Sequence, residues 1–454
     1  MGLVYRVRGG KPVTGEIRCH GAKNLATKTI VASMLTSKLV KLYNVPRIGD
    51  VQITIDLIKQ AGCDAQWVDD NTLLIDPANV HNGNITEPDS GANRIPILLM
   101  GPLLHRLGKV KVPVLGGDKI GTRKVDFHVK AMEAFGANVT VADDSYYAEL
   151  PAGKRLQGIE IELPYPSVGA TETCLFLAVL AEGVSVIKNI AIEPEIMEII
   201  TMLRSMGALI FESGNRELRI EGVDKLHQTQ LHLIGDRIEA VSWASLAIAT
   251  NGRIKVKGVG PSQLGNFLSH YEKLGGRYEL LGDKEIEFYR GAGELRPLKV
   301  ETDVFPGFAT DWQQPFAVAL TLASGMSVIH ETVYENRLGF LEALRQFGAT
   351  TQTTVECLGS QKCRYRNRNH KHSALIFGPA ELKSNNLTVQ VPDIRAGLAY
   401  LIAAAAAEGV TTLTDIDHIE RGYGNLKERM QGLNIDLERL EENAVTPSSK
   451  KVIG

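Results

Sequence analysis

At 454 residues the chain is longer than one hydrophobic core usually serves, so two domains are expected. A formal net charge of -2, with 22% charged and 44% apolar residues, describes an ordinary globular protein and gives no global pull toward nucleic acid or a membrane surface. The cysteines Cys19, Cys63, Cys174, Cys357 and Cys363 are odd in number and scattered, with no CxxC pair and no histidine at metal-ligand spacing, so neither a disulfide framework nor a metal site is expected. The opening residues carry no charged-then-apolar leader, and the apolar runs are too short to span a membrane; the expected compartment is a reducing cytoplasm.

Taken in order, the chain repeats one unit about every 70 residues. Each unit opens on a nearly all-apolar segment long enough for a buried helix: Leu25–Leu35, Ile95–Leu107, Thr171–Ala181, Ala240–Thr250, Phe316–Ala323 and Ala396–Ala407. In most units a short alternating strand follows, such as Val184–Ile187, Ile254–Lys257 or Val410–Leu413, and then an amphipathic helix. Those second helices are expected to end at Gly62, Gly136, Gly207, Gly275, Gly348 and Gly432, because glycine takes the left-handed conformation that terminates a helix at little cost. Helices apolar on every face must be enclosed, so the helices should lie inside and the sheets outside. Six units divide into two domains of three, joined near Gly235 and Asp236.

Two stretches interrupt the pattern. Residues 114–124 place Gly116, Gly117 and Gly121 around Asp118 and Arg123, a composition suited to a lid that folds over a ligand and feeds a helix carrying Val125, Val129, Met132 and Phe135. Residues 361–373 are strongly basic and read as a solvated surface insertion, with a docking patch for an anionic partner as the other reading. From residue 441 to 454 the composition is that of a disordered tail.

The polar residues of the buried helices gather at their N-terminal ends: Lys23 and Asn24, Arg94, Ser167 to Gly169, Asp236, Arg237 and Glu239, Thr310 and Asp311, Asp393 and Arg395. Asp118, Arg123, Glu193, Arg337 and Arg421 belong to the second set of helices. Helix N-termini present unpaired N–H groups and partial positive charge, so converging termini would form an anion site. With six basic side chains added, the expected ligand is a polyanion carrying phosphate and carboxylate, which guanidinium forks bind in bidentate fashion. Any of these residues alone also reads as a helix cap or a surface ion pair.

These residues sit in segments that resemble the enolpyruvyl transferases, and within them the UDP-N-acetylglucosamine 1-carboxyvinyltransferases (the MurA family). The resemblance runs from about Tyr5 to Leu440. It rests on Gly21-Ala-Lys-Asn24, Gly116 to Asp126, Ser167-Val-Gly-Ala-Thr171, Glu193-Pro-Glu195, Asp236-Arg-Ile-Glu239, Thr310-Asp311, Glu331 to Arg337 and His418 to Tyr423. It implies an α/β fold of two inverse, inside-out α/β barrel domains built from six βαβαββ-type repeats, with residues 1–22 joining 235–440 and residues 23–234 forming the other domain. It also implies transfer of the enolpyruvyl group of phosphoenolpyruvate to the 3-hydroxyl of UDP-N-acetylglucosamine, with release of phosphate and no metal or cofactor.

By the same resemblance, Lys23, Asn24, Arg123, Arg395 and Arg421 would meet phosphoenolpyruvate. Arg94, Arg123, Lys124, Val125, Asp126, Phe127, Tyr165, Pro166, Ser167, Val168, Asp311, Val333 and Arg337 would hold the sugar nucleotide. Asp311 would be the base at the sugar hydroxyl, Asp118 the acid toward the methylene carbon, and Asp393 a carboxylate near developing positive charge. Most of the family has Cys at the position of Asp118, the residue fosfomycin alkylates, so resistance to that drug is expected. Pro96, Lys124, Tyr165, Val241 and Ala309 also depart from the usual pattern. The sister 3-phosphoshikimate 1-carboxyvinyltransferases are the alternative enzyme, disfavoured by Gly-Ala-Lys-Asn at the first helix and by Gly91-Ala-Asn-Arg94. A non-catalytic UDP-sugar-binding paralogue is the alternative from another class.

Overall fold

The structure, a computed structural model, describes residues 2–114, 116, 125–360 and 363–442; the side chains of Ile394 and Arg395 fall outside that description. The six apolar segments form the core helices Lys23–Ala32, Pro96–Leu107, Val168–Ala178, Arg237–Ala249, Gln313–Leu320 and Ile394–Ala406. Every residue of Arg237–Ala249 is buried, as an all-apolar helix requires. The fourth, fifth and sixth core helices pack on one another, and the second packs on the first and third. Pro96 is tolerated because it opens its helix, where its N–H would have no intrahelical partner.

Six small sheets surround these helices. The third unit shows the pattern in full: strand Glu160–Glu162, the core helix, strand Val184–Lys188, the outer helix Pro194–Ser205, and strands Leu209–Glu212 and Glu217–Glu221. Its strand order puts one parallel pair at an edge, Val186 opposite Glu160, and antiparallel pairs elsewhere. Four other sheets repeat this arrangement. The remaining one has three named strands, Lys109–Pro113, Ser145–Glu149 and Asn138–Val141, and an isolated parallel bridge from Asn84 to Lys111 stands where the fourth strand would lie. The helices are thus inside and the sheets outside, the inverse of an ordinary α/β barrel.

The buried apolar residues fall into two clusters. One runs from Ala22 to Leu233; the other joins Tyr5, Val7, Val13, Ile17 and Cys19 to residues from Ile238 to Leu437. The first strand, Leu3–Gly9, lies between Glu408–Thr414 and Asp436–Glu441, with Tyr5 opposite both Leu413 and Arg439. The chain therefore crosses between the bodies twice, side by side: Gly21 bridges Gly235, and Ala22 N–H donates to the Ile234 carbonyl at 2.8 Å. A Cβ at Gly21 would lie 1.8 Å from the Asn44 carbonyl oxygen and one at Gly235 2.3 Å from that of Gly258, so both crossings need glycine.

Five of the six expected terminating glycines, Gly62, Gly136, Gly207, Gly275 and Gly348, have positive φ. Gly432 does not: it is the last residue of helix Leu426–Gly432, and Asn434 (φ 60°) takes the left-handed position two residues later. Asparagine tolerates that conformation, and its side-chain amide donates to the Thr14 carbonyl at 3.3 Å, tying the sixth unit to the start of the chain. Glu441 ends the last strand opposite Leu3 rather than beginning a tail; residues 443–454 lie outside the described residues.

Candidate active site

Between the two bodies lies a cavity of about 690 Å³. Lys23, Asn24, Arg94, Asp126, Phe127, Tyr165, Pro166, Ser167, Val168, Asp311, Val333, Arg337 and Arg421, all singled out in the sequence, line it. The starts of five core helices contribute to its wall. Beside the sixth, Asp393 lines an adjoining cavity of about 400 Å³, to which Arg337 also contributes, and its carboxylate accepts from Ala396 N–H at 2.9 Å. Val125 is half-buried at the start of helix Asp126–Ala134 and is not part of the wall. Asp118, Arg123, Lys124 and the side chain of Arg395 lie outside the described residues, as does the lid apart from Val114 and Gly116.

Helix capping positions several of these groups. Asp236, at the crossing point, accepts from Ile238 N–H (2.8 Å) and Glu239 N–H (3.2 Å) of its own helix, and from Lys23 N–H (3.1 Å) of the first core helix. One carboxylate thus caps a helix in each body and sets Lys23 at the rim of the cavity. Ser167 caps the third core helix by accepting from Ala170 N–H at 3.4 Å.

The cavity wall also holds a residue the sequence reading missed. Asp50, in the first turn of helix Gly49–Gln60, accepts from Lys23 Nζ at 2.6 Å and from Arg421 Nε at 2.8 Å. Arg421 reaches across from the other body, 371 residues away in sequence. Burial opposes the charge on Asp50, but Lys23 and Arg421 outweigh it and hold the carboxyl at about 2. Gly49 makes the approach possible, since a Cβ there would meet Arg421 Cγ at 3.0 Å. The available signal was an acid at a helix start, which by itself reads as a dipole partner.

Also lining the cavity, Asp311 on the short helix Thr310–Trp312 pairs with the buried guanidinium of Arg337. The buried Glu331 carboxylate holds both ends of this wall: it accepts from Thr310 Oγ1 (2.7 Å) and Tyr334 N–H (2.9 Å). Deeper in, Arg237 is buried against Glu195 (Nε to Oε1 2.9 Å) and lies over the rings of Trp312 and Phe305. His128 meets Thr173 Oγ1 at 2.7 Å, and burial, with Arg94 adding to it, lowers its imidazole to about 4. Glu172 is fully buried on the third core helix. Burial raises its carboxyl to about 7 against the pull of Lys28, with Glu193 and Glu195 adding to the rise.

Among the described residues of the basic stretch 361–373, Arg364, Arg366, Asn367, Arg368, Asn369 and Lys371 are exposed, as a solvated insertion requires, but part of the segment also faces the cavity. Arg364, Tyr365 and Arg368 line the cavity, and Tyr365 is buried, its hydroxyl donating to the Val333 carbonyl at 2.7 Å. Arg364 donates to the Tyr365 oxygen and lies 5.2 Å over the ring of Tyr165 in the opposite body. Counting charges could not show this; burying one tyrosine brings that part of the segment to the cavity.

A cavity gathering Lys23, Arg94, Arg337, Arg364 and Arg421 around carboxylates at helix starts suits a polyanion and proton transfer. A protein-family model described as EPSP synthase (3-phosphoshikimate 1-carboxyvinyltransferase) matches residues 7–430. Among curated proteins, the UDP-N-acetylglucosamine 1-carboxyvinyltransferase of Protochlamydia amoebophila is 40% identical over 445 residues, covering 97% of this chain and 95% of the relative. That of Chlamydia muridarum is 42% identical over 434 residues (93% and 96%), and that of Finegoldia magna 35% over 440 (96% and 99%). The chain belongs to the UDP-N-acetylglucosamine 1-carboxyvinyltransferase family. Solved structures agree at the level of fold. The enolpyruvyl transferase NikO from Streptomyces tendae superposes with a TM-score of 0.82 at 23% identity over 96% of this chain and 99% of its own. EPSP synthase from Acinetobacter baumannii gives 0.70 at 15% identity over 97% and 100%. The higher full-length identity to the former enzymes places the chain with that family within the wider superfamily.

Proposed function

We propose that the protein transfers the enolpyruvyl group of phosphoenolpyruvate to the 3-hydroxyl of UDP-N-acetylglucosamine, releasing phosphate, as the committing step of peptidoglycan synthesis in the cytoplasm. Full-length kinship with relatives of that name supports it, and the Lys23–Asp50–Arg421 triad sharing one cavity with Asp311 is the structural observation that carries it. In this reading Lys23 and Arg421, with Arg123 and Arg395, bind the phosphate and carboxylate of phosphoenolpyruvate, which takes over part of their charge from Asp50. Asn24 also meets phosphoenolpyruvate, while Arg94, the Tyr165–Val168 turn, Val333 and Arg337 hold the sugar nucleotide. Arg364 over Tyr165 is suited to hold it too.

The chemistry is addition followed by elimination. Asp118 gives a proton to the methylene carbon of the enol, Asp311 takes the proton of the sugar hydroxyl, and the new C–O bond forms at the adjacent carbon. Loss of a proton from the methyl group so formed, together with phosphate, then restores the double bond. Arg337 beside Asp311 favours its anionic form, as a base requires. Asp118 must be protonated when used, which closure against water beside two substrate anions favours over Arg123 and Lys119. We assign residues 23–234 to one domain and 1–22 with 235–440 to the other, supported by the two apolar clusters.

A phosphate-release assay tests the reading. Release should require phosphoenolpyruvate and UDP-N-acetylglucosamine together. Release with shikimate 3-phosphate instead would assign the sister reaction, and none with either would leave a binding protein. Asp118→Asn should lower turnover about 10²–10⁴-fold. The unmodified enzyme should resist fosfomycin and Asp118→Cys should be inactivated by it, since a thiolate is the stronger nucleophile toward the epoxide.

A further inference from the structure

The sequence shows no metal-ligand spacing, yet the fold brings His330, Cys357, Cys363 and His372 together with one ligand atom from each within 4.8 Å of all the others. His330 ends strand Gly325–His330, opposite Ser373 in the neighbouring strand Ser373–Gly378; His372 precedes Ser373, and the two cysteines come from the connection and the basic insertion between strands. Both imidazoles are fully buried. Each is also oriented. Ser373 Oγ donates to the Glu356 carbonyl (2.6 Å) and so accepts from His330 Nδ1 at 2.8 Å. His372 Nδ1 donates to the His370 carbonyl at 2.7 Å. Both Nε2 atoms are therefore left with lone pairs. That of His372 lies 3.2 Å from Cys357 Sγ, and that of His330 is buried with no hydrogen-bond partner.

A lone pair buried without a donor costs free energy unless something takes it up. Backbone and hydroxyl contacts that fix the far nitrogen of each ring are the outer-shell arrangement of metal-binding histidines. Gly359 lets the connecting loop cross the ring, since a Cβ there would sit 2.1 Å from His330 Cδ2.

We propose that His330, Cys357, Cys363 and His372 bind one zinc ion. Two thiolates and two imidazoles are a borderline-soft set that favours tetrahedral Zn²⁺ over Mg²⁺ or Ca²⁺. Bond lengths of about 2.0–2.3 Å put tetrahedral ligand atoms roughly 3.3–3.8 Å apart, so a contraction of about 1 Å closes the site. Both thiols lose their protons to solvent on binding, and the two thiolates balance the ion's charge. Zinc has no open coordination position here; its work is structural. It fastens the two ends of the insertion to the ends of the sheet's two central strands, and the insertion in turn presents Arg364 and Tyr365 to the cavity. The site stands on its own residues, whatever substrate the cavity takes.

The test is metal analysis of the full chain, purified under reducing conditions without chelator. One equivalent of zinc is expected in the parent and in Cys19→Ser, and none in the Cys357→Ser/Cys363→Ser pair. Cobalt substitution should give tetrahedral d–d bands with thiolate charge transfer. Should the double variant fail to fold, titrating the parent with an organomercurial while a chromophoric chelator reports released zinc gives the same answer. A parent without stoichiometric zinc that shows no thiolate bands with cobalt, or whose Cys357 and Cys363 form a disulfide instead, overturns the proposal.

Discussion

Asp50→Asn removes the carboxylate that Lys23 and Arg421 share, and its effect can be worked from the structure. Holding the Asp50 carboxyl at about 2 rather than 3.8 corresponds to roughly 2.5 kcal/mol of stability at neutral pH. The sign follows from the direction: a lowered folded-state value gives a contribution present above about pH 4 and lost as pH falls through about 2. Removing one partner of a fully buried pair costs about 3–5 kcal/mol, but Arg421 is 30% exposed at the cavity, so the lower figure applies. For a cooperative unit the size of residues 23–234, that is a fall in Tm of roughly 5–10 °C. An anion can then restore what was lost. Phosphoenolpyruvate competes with Asp50 for two cations in the parent and replaces it in the variant, so it should raise Tm more in Asp50→Asn. Scanning calorimetry at neutral pH, with and without phosphoenolpyruvate, reads both effects. An unchanged Tm in the variant, or an equal ligand-induced rise in both proteins, refutes the reasoning.

Two further outcomes follow from the cavity wall. Glu172, raised to about 7, keeps its proton in the folded chain while the unfolded chain loses it near 4.5, so folding stability should decline between pH 5 and 7 by an amount on the order of a few kcal/mol. Glu172→Gln should flatten that slope in urea titrations, and parallel slopes in the two proteins would show that Glu172 does not titrate there. Arg364→Ala gives up the contact over Tyr165, worth about 0.5–1 kcal/mol at a partly exposed site, so the KM for UDP-N-acetylglucosamine should rise roughly two- to five-fold with kcat retained. A loss confined to kcat would place Arg364 in the chemistry instead.

What the sequence by itself determined was the repeat. Apolar segments of helical length, alternating strands and terminating glycines are local patterns, and each is set by residues within a turn or two of one another, so the six core helices could be placed to within a few residues. The same holds for Lys23, Arg94, Ser167 and Asp311, which stand at helix starts whose positions those patterns fix. Tertiary structure alone decided the rest. Asp50 is an ordinary acid in a first helical turn until Arg421 arrives from 371 residues away, and Asn434 rather than Gly432 turns the last unit because Thr14 lies beside it. Cys357, Cys363 and His372 share one long connection between strands, but His330 joins them only through the pairing of strand Gly325–His330 with Ser373–Gly378. Charge pairing and ligand convergence depend on distances in space, and those are set only once both cores have closed.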